Sequence, residues 1–204
     1  MRQELKAELV RKGIHALIGF APFLALWSYA GTLILIAAGI LAYVCFETLR
    51  YNGIQVPVVS FLTDFASRRR DRGRFVHGPV TLGAGALLSL IVFPPVAAAV
   101  AVYTLAVGDS VSSLAGKFFG RWRPAFLCGK SVEGSLACFA AVFLCSWPAS
   151  GSAAAALAVA AAATVAEALP LKDWDNIFIP LVTGFAFCQN TFTTTDIPGV
   201  ILRL

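Results

Sequence analysis

Apolar residues run along this chain in long blocks that are separated by short polar connectors. Seven blocks are each near the roughly 20 residues that a helix needs to span a bilayer. They cover about 13–30, 31–48, 78–93, 95–115, 134–148, 151–169 and 176–194. Only 13% of the 204 residues are charged, against about 25% in soluble domains, and the mean hydropathy is +0.79. The pattern predicts an all-α, polytopic integral membrane protein with about seven transmembrane helices in a single domain, residues 1–204.

Positive charge is distributed unevenly over the connectors. Under the seven-helix prediction, 15 of the 16 Lys and Arg residues lie on one side, and only Arg203 does not. Because cytoplasmic loops carry the excess of Lys and Arg, we expect the N-terminus in the cytoplasm and the C-terminus outside. In so apolar a chain, a net charge of +5 favours anionic lipid rather than nucleic acid as partner.

Two segments have unusual composition. In the longest connector, residues 56–65 are apolar but too short to span, which predicts an interfacial helix. The basic run 68–74 then lies either at anionic headgroups or in solvent, and both interpretations remain open. Alanine makes up 11 of the 19 residues 150–168, with a few glycine, serine, leucine and valine residues, which predicts a helix packed against other helices, since small side chains allow close approach.

Asp109 begins the strip of polar residues that carries candidate chemistry. It is predicted near the cytoplasmic end of the fourth apolar segment, where a carboxylate is costly and is a functional candidate by default. Gly116 and Gly120 follow at a spacing of four, and Lys117 and Arg121 each follow a glycine. Glycines expose N–H groups and cations bind phosphate oxygens, but the same spacing is also typical of helix packing.

The next polar stretch, 129–135, contains Lys130, Ser131 and Glu133. Gly129-Lys130-Ser131 looks like the end of a phosphate-binding P-loop, but the first glycine of that motif is replaced by Pro124 and no strand is predicted before it. A P-loop kinase is therefore excluded. Glu133 lies where a helix is predicted to begin, which suits a capping carboxylate or a nearby anion site.

A third polar cluster comprises Glu167 and the run 172–176, which includes Asp175 and Asn176. The predicted topology places it at the same membrane face as Asp109. Two carboxylate regions beside cations suit Mg²⁺ that bridges a nucleotide, because Mg²⁺ takes a few carboxylates together with phosphate oxygens.

Lesser candidates lie near helix ends: Glu167, named above, and Arg11, Lys12, His15, Glu47 and Arg50. His15 is four residues after Arg11, so both can share a helix face. Glu47 and Arg50 have the spacing of a helical ion pair. Anchoring at the membrane surface explains these residues as well as a functional role does, whereas His77 is predicted to be a loop residue.

These motifs together resemble the CTP-dependent lipid kinase family of dolichol kinases, phytol kinases and yeast-type diacylglycerol kinase, which is similar to CDP-diacylglycerol synthases. The matching residues are Arg11-Lys12, His15, Glu47, Arg50, Asp109, the Gly116–Gly120 run, the Lys130–Ser135 run, Glu167, Asp175-Asn176 and Pro180. Ser131 and the short chain favour the kinase branch. Ser112 and Lys117 depart from the alanine and arginine that the family pattern has at those positions.

The resemblance implies a kinase-like domain that uses CTP and Mg²⁺. Asp109 and Asp175 would hold the metal, with Asn176 in support, and phosphates would bind Lys117, Arg121, Lys130, Ser131 and the glycines Gly116 and Gly120. Asp109, Lys130, Glu133 and Asp175 form the implied catalytic set, in which Glu133 orients Lys130 or the metal.

Two other functions stay open from the sequence: cytidylyl transfer to phosphatidate, and a small lipid transporter. A transporter would place polar residues in the middle of the membrane, whereas the ionisable residues here are predicted near one face. The lipid alcohol is a polyprenol, diacylglycerol or phytol-like molecule, and the oligomeric state is undetermined. The short, alanine-rich chain favours a bacterial inner membrane over the endoplasmic reticulum, with the active site facing the cytoplasm.

Overall fold

A computed structural model describes residues 2–54 and 74–191, and all regular secondary structure within these ranges is helical. The helices are α1 (Arg2–Ile18), α2 (Ala21–Trp27), α3 (Tyr29–Tyr51), α4 (Gly78–Val92), α5 (Pro95–Tyr103), α6 (Asp109–Phe118), α7 (Val132–Ser150), α8 (Ala153–Ala168) and α9 (Asp175–Thr191). A π-helix over Thr104–Gly108 joins α5 to α6, and 3-10 turns lie at Ala125–Leu127 and Lys172–Trp174. The predicted all-α class is confirmed for the described part of the chain.

Helix boundaries follow local chemistry. Ser28, Ser131 and Ser152 precede α3, α7 and α8, and each side-chain oxygen accepts a hydrogen bond from a backbone N–H in the first turn. Proline lies in the first turn of α2, α4 and α5, where its missing N–H is harmless. Gly151, at φ 64°, ends α7 in the left-handed region that suits glycine.

Four helical stretches are long and apolar enough to cross a membrane: Glu8–Trp27, Tyr29–Tyr51, Pro95–Phe118 and Val132–Ser150. The helices Gly78–Val92 and Ala153–Ala168 are also apolar but have only 15 and 16 residues. The structure is thus compatible with a lipid bilayer, while the seven crossings and the orientation of the termini stay predictions. The predicted interfacial helix 56–65 lies outside the described residues, as do Arg203 and all of the basic run except the exposed Arg74.

Helix α8 packs between α7 and α9, as its alanine content predicts. Its buried face includes Ala156, Val159, Ala160 and Ala163, whereas Leu157 and Val165 on the opposite face are exposed. On the other side of the molecule, α2 and α3 present large apolar side chains outward, including Leu26 and Trp27, which are 81% and 88% exposed. An outer surface of this kind suits lipid rather than water.

Candidate functional site

Helix α6 brings its first residue, Asp109, against α1. The Lys12 ammonium pairs with Asp109 Oδ2, and His15 Nδ1 lies 3.2 Å from the same oxygen, without the alignment of a hydrogen bond. All three residues are buried, at 4% exposure for Lys12, 6% for His15 and 8% for Asp109. The structure therefore joins Asp109 to two residues of α1, which the sequence placed in a separate segment.

The helix that carries Asp109 continues three residues beyond the predicted apolar segment 95–115. The continuous helical stretch runs from Pro95 to Phe118, so nine residues follow Asp109, or about 14 Å at 1.5 Å per residue. The polar residues after Asp109 continue the helix instead of ending it. The π-helix Thr104–Gly108 directly precedes Asp109, and such interruptions occur frequently at functional sites.

A second contact between α1 and α6 involves Glu8, which the sequence reasoning missed. Its carboxylate is 2% exposed and pairs with both Arg11 and Lys117. Arg11 thus pairs with Glu8, while His15 approaches Asp109 beside Lys12. The only signal for Glu8 was its spacing of three from Arg11 at the start of an apolar helix.

Glu167, near the end of α8, forms the second buried acidic centre. Its Oε1 accepts a hydrogen bond from Ser112 Oγ at 2.9 Å and lies 2.9 Å from Lys130 Nζ. Lys130 also donates to the backbone carbonyl of Glu167. Glu167 is 4% exposed, and its Oε2 is buried with no hydrogen-bond partner in the structure.

These contacts define the α6 charge cluster: Glu8, Arg11, Lys12, Asp109, Lys117, Lys130 and Glu167. Asp109 and Ser112 are three residues apart on α6, so their side chains share a face. Because Ser112 holds Glu167, Glu167 lies against the α6 face that carries Asp109. The cluster gathers residues from α1, α6, α8 and the loop before α7.

Glu133 has a different role from the expected one. Its Oε1 accepts hydrogen bonds from the backbone N–H groups of Arg121 and Trp122, at 2.9 and 3.2 Å, whereas Lys130 is held by Glu167. Glu133 therefore does not orient Lys130 in this structure, and the alternative, that it orients the metal, stays a prediction. Glu133 instead fixes the segment that follows α6, while Ser131 caps α7 by accepting from the N–H of Gly134 at 3.2 Å.

Gly116, Gly120 and Gly134 allow α6 to approach the start of α7. A Cβ on Gly116 would lie 2.9 Å from Ser131 Oγ, and one on Gly120 would lie 2.8 Å from the Ser131 Cβ. A Cβ on Gly134 would meet the Ser112 carbonyl oxygen at 2.9 Å. The packing interpretation of the glycine spacing thus has direct support, and phosphate binding by these glycines stays a prediction.

Two further pairs lie at the ends of α3 and α9. The predicted Glu47–Arg50 pair is confirmed: both carboxylate oxygens accept from the guanidinium at 2.7 Å, and Oε1 also accepts from the Val76 N–H at 2.9 Å. Asn176 donates to Thr81 Oγ1 at 3.0 Å, which attaches α9 to α4. Asp175 begins α9 and is half-buried. His77 is exposed at the start of α4, as expected for a loop residue.

The carboxylates of the site determine whether Mg²⁺ could bind there. Among the described residues, no group of three or more His, Cys, Asp and Glu side chains is arranged to hold a metal by itself. Mg²⁺ usually takes only one or two carboxylates and completes its shell with phosphates and water, so such a group is not required. The unpartnered Glu167 Oε2 fits that arrangement, whereas Asp109 Oδ2 is already engaged by Lys12 and His15.

Comparison with known proteins yields one informative match. The chain is 28% identical over 184 residues to an uncharacterized protein of Methanocaldococcus jannaschii. The aligned region covers 87% of this chain and 91% of that protein. No protein-family model matches the chain, and neither does any solved structure. The similarity extends across most of both proteins, and the functional argument rests on the site.

Proposed function

We propose that this protein is a CTP-dependent lipid-alcohol kinase, which transfers the γ-phosphoryl group to the hydroxyl of a polyprenol, diacylglycerol or phytol-like lipid. The observation that carries the proposal is the α6 charge cluster, in which buried carboxylates and lysines from distant segments meet. Maintaining such charges in an apolar chain is costly, and phosphoryl transfer needs both signs of charge around the reacting group. The sequence motifs support CTP and the lipid alcohol.

In the proposed reaction, the lipid hydroxyl oxygen bonds to the γ-phosphorus while the bond to the β–γ bridging oxygen breaks, and CDP leaves with that electron pair. Lys130 and Lys117 contact phosphate oxygens, and a cluster carboxylate accepts the hydroxyl proton. Bound Mg²⁺ would neutralise phosphate charge, held by carboxylates such as Asp109 and Asp175. The proposed location is a bacterial inner membrane, with the site open to the cytoplasm.

A small lipid transporter is the second candidate, and one observation favours it. Asp109 lies about 14 Å from the end of its helix and directly follows a π-helix. Transporters place charged residues at interrupted helices near the membrane midplane. The depth of Asp109 in the bilayer, near one face or near the midplane, therefore distinguishes the two functions.

The deciding experiment uses purified protein in detergent with Mg²⁺ and CTP labelled separately at the α and γ phosphates. Undecaprenol, diacylglycerol, phytol and phosphatidate are offered in turn. We expect γ label in a lipid phosphate and CDP as the second product. Label from the α phosphate in lipid would instead identify a phosphatidate cytidylyltransferase. No transfer to any lipid would refute the kinase and make lipid transport the function to test.

A further inference from the structure

We infer that Glu167 is the principal carboxylate ligand of the divalent cation, through its Oε2. This inference rests on the proposed function, which needs a metal, and it changes which residue holds that metal. The sequence treated Glu167 as a lesser candidate and assigned the metal to Asp109 and Asp175.

One oxygen of the Glu167 carboxylate, Oε2, has no hydrogen-bond partner. A buried polar atom without a partner destabilises the folded state, and more so when it is charged, so each such atom calls for an explanation, for example an ion or water. Glu167 is 4% exposed, its Oε1 is held by both Ser112 and Lys130, and its Oε2 has no partner. The carboxylate is thus oriented by one oxygen and open at the other.

The other buried carboxylates, Glu47, Glu8 and Asp109, are paired differently from Glu167. Glu47 Oε1 and Oε2 both accept from Arg50, and Glu8 pairs with Arg11 and Lys117 through different oxygens. Asp109 Oδ2 is occupied by Lys12. A metal at Asp109 Oδ2 would have to displace a buried ammonium, whereas a metal at Glu167 Oε2 displaces no side chain. Glu133 Oε2 also lacks a hydrogen-bond partner, but Glu133 is only half-buried and has no lysine partner among the described residues.

The cationic neighbour of Glu167 is Lys130. The Lys130 side chain is 31% exposed, so a nucleotide phosphate can reach this partner of Glu167 from solvent. Lysine binds phosphate as a point charge, and Mg²⁺ completes its coordination with the same kind of oxygen. A phosphate bound between Lys130 and the metal would therefore contact both partners of Glu167.

The test measures binding of Mn²⁺ by electron paramagnetic resonance, with Mn²⁺ alone and with Mn²⁺ plus β,γ-methylene CTP. We expect wild type to bind Mn²⁺ in at least one condition. Glu167→Gln should weaken that binding by at least about tenfold, because even the loss of a residue that only orients a metal ligand can cause a change of that size. Ser112→Ala keeps both carboxylate oxygens but removes the hydrogen bond that orients Oε1, so it should weaken binding less than Glu167→Gln does.

Two controls separate the outcomes. Glu47→Gln removes a carboxylate that is 0% exposed and fully paired, and Mn²⁺ binding should be unchanged. If Glu167→Gln does not fold, Glu167→Asp, which withdraws the carboxylate by one methylene, replaces it and must weaken binding. Equal Mn²⁺ affinity in wild type and the Glu167 variant, or no binding by wild type, overturns the inference. Transfer of γ label by wild type is measured separately, so the kinase can stand when the ligand assignment fails.

Discussion

Removing either partner of the Lys12–Asp109 pair should destabilise the protein strongly. Both side chains are at most 10% exposed, so Lys12→Met leaves a buried carboxylate and Asp109→Asn leaves a buried ammonium. Breaking a buried pair by removing one partner costs about 3–5 kcal/mol. For a chain of 150–250 residues, each kcal/mol lowers Tm by about 2–4 °C, so each single variant should unfold about 6–20 °C below wild type.

The double variant Lys12→Met/Asp109→Asn should recover much of that loss, because neither charge remains. A buried ion pair that is replaced as a unit is often neutral in stability. The coupling energy from the double-mutant cycle should therefore reach roughly 2–3 kcal/mol. The matched comparison is Lys117→Met: its side chain is 44% exposed and its partner Glu8 keeps Arg11, so a loss of about 1 kcal/mol or less is expected.

The assay is thermal unfolding in one detergent, followed by circular dichroism, with γ-label transfer measured on the same preparations. The double variant separates stability from function, since it should be folded yet inactive if Asp109 takes part in phosphoryl transfer. A double variant no more stable than the two singles would falsify the direct contact. A folded double variant with wild-type transfer would remove Asp109 from the proposed chemistry.

Two further substitutions test local packing and pairing by unfolding in detergent. Gly120→Ala should cost about 1–3 kcal/mol by overpacking, because its Cβ would lie 2.8 Å from the Ser131 Cβ. Gly39→Ala, which has no atom within 4 Å of the added Cβ, should gain up to about 1 kcal/mol in its helix; the same sign at both sites would contradict the packing argument. Arg50→Lys should cost about 1–3 kcal/mol, since lysine cannot reproduce the two 2.7 Å contacts with Glu47, and an unchanged Tm would show that the fork geometry contributes nothing.

Local patterns in the sequence predicted the helices well. The apolar blocks and the helical spacing of Glu47 and Arg50 depend on residues close together in the chain, so they can be read directly from it. The packed face of α8 also followed from composition, because alanine allows close helix contact wherever the partner helix lies.

Contacts across the chain could not be predicted in the same way. Lys12 meets Asp109 across 97 residues, and Lys117 meets Glu8 across 109. No periodicity encodes which cation joins which carboxylate, since that depends on how the helices pack. Glu133 illustrates the error that follows: it is three residues from Lys130 in sequence, yet Lys130 contacts Glu167, which is 37 residues away.

The balance of charge in the α6 charge cluster leads to a last prediction about metal dependence. Its cations are Arg11, Lys12, Lys117 and Lys130, and its carboxylates are Glu8, Asp109 and Glu167. Four cations against three carboxylates leave about one net positive charge for a triphosphate that carries roughly four negative charges. Because most of these cations already neutralise a carboxylate, they cannot balance the nucleotide without leaving a buried anion unpaired.

A divalent cation that arrives with the nucleotide removes this conflict, since it brings positive charge without breaking a pair. We therefore expect CTP to bind at least about tenfold more weakly when EDTA removes Mg²⁺, as measured by equilibrium dialysis with labelled CTP. The exposed Arg121 is the control: it lies outside the cluster, so Arg121→Gln should weaken binding in both conditions by a similar factor. Metal-independent affinity in wild type would show that the cluster pairs open on binding, contrary to the high cost assigned to breaking them.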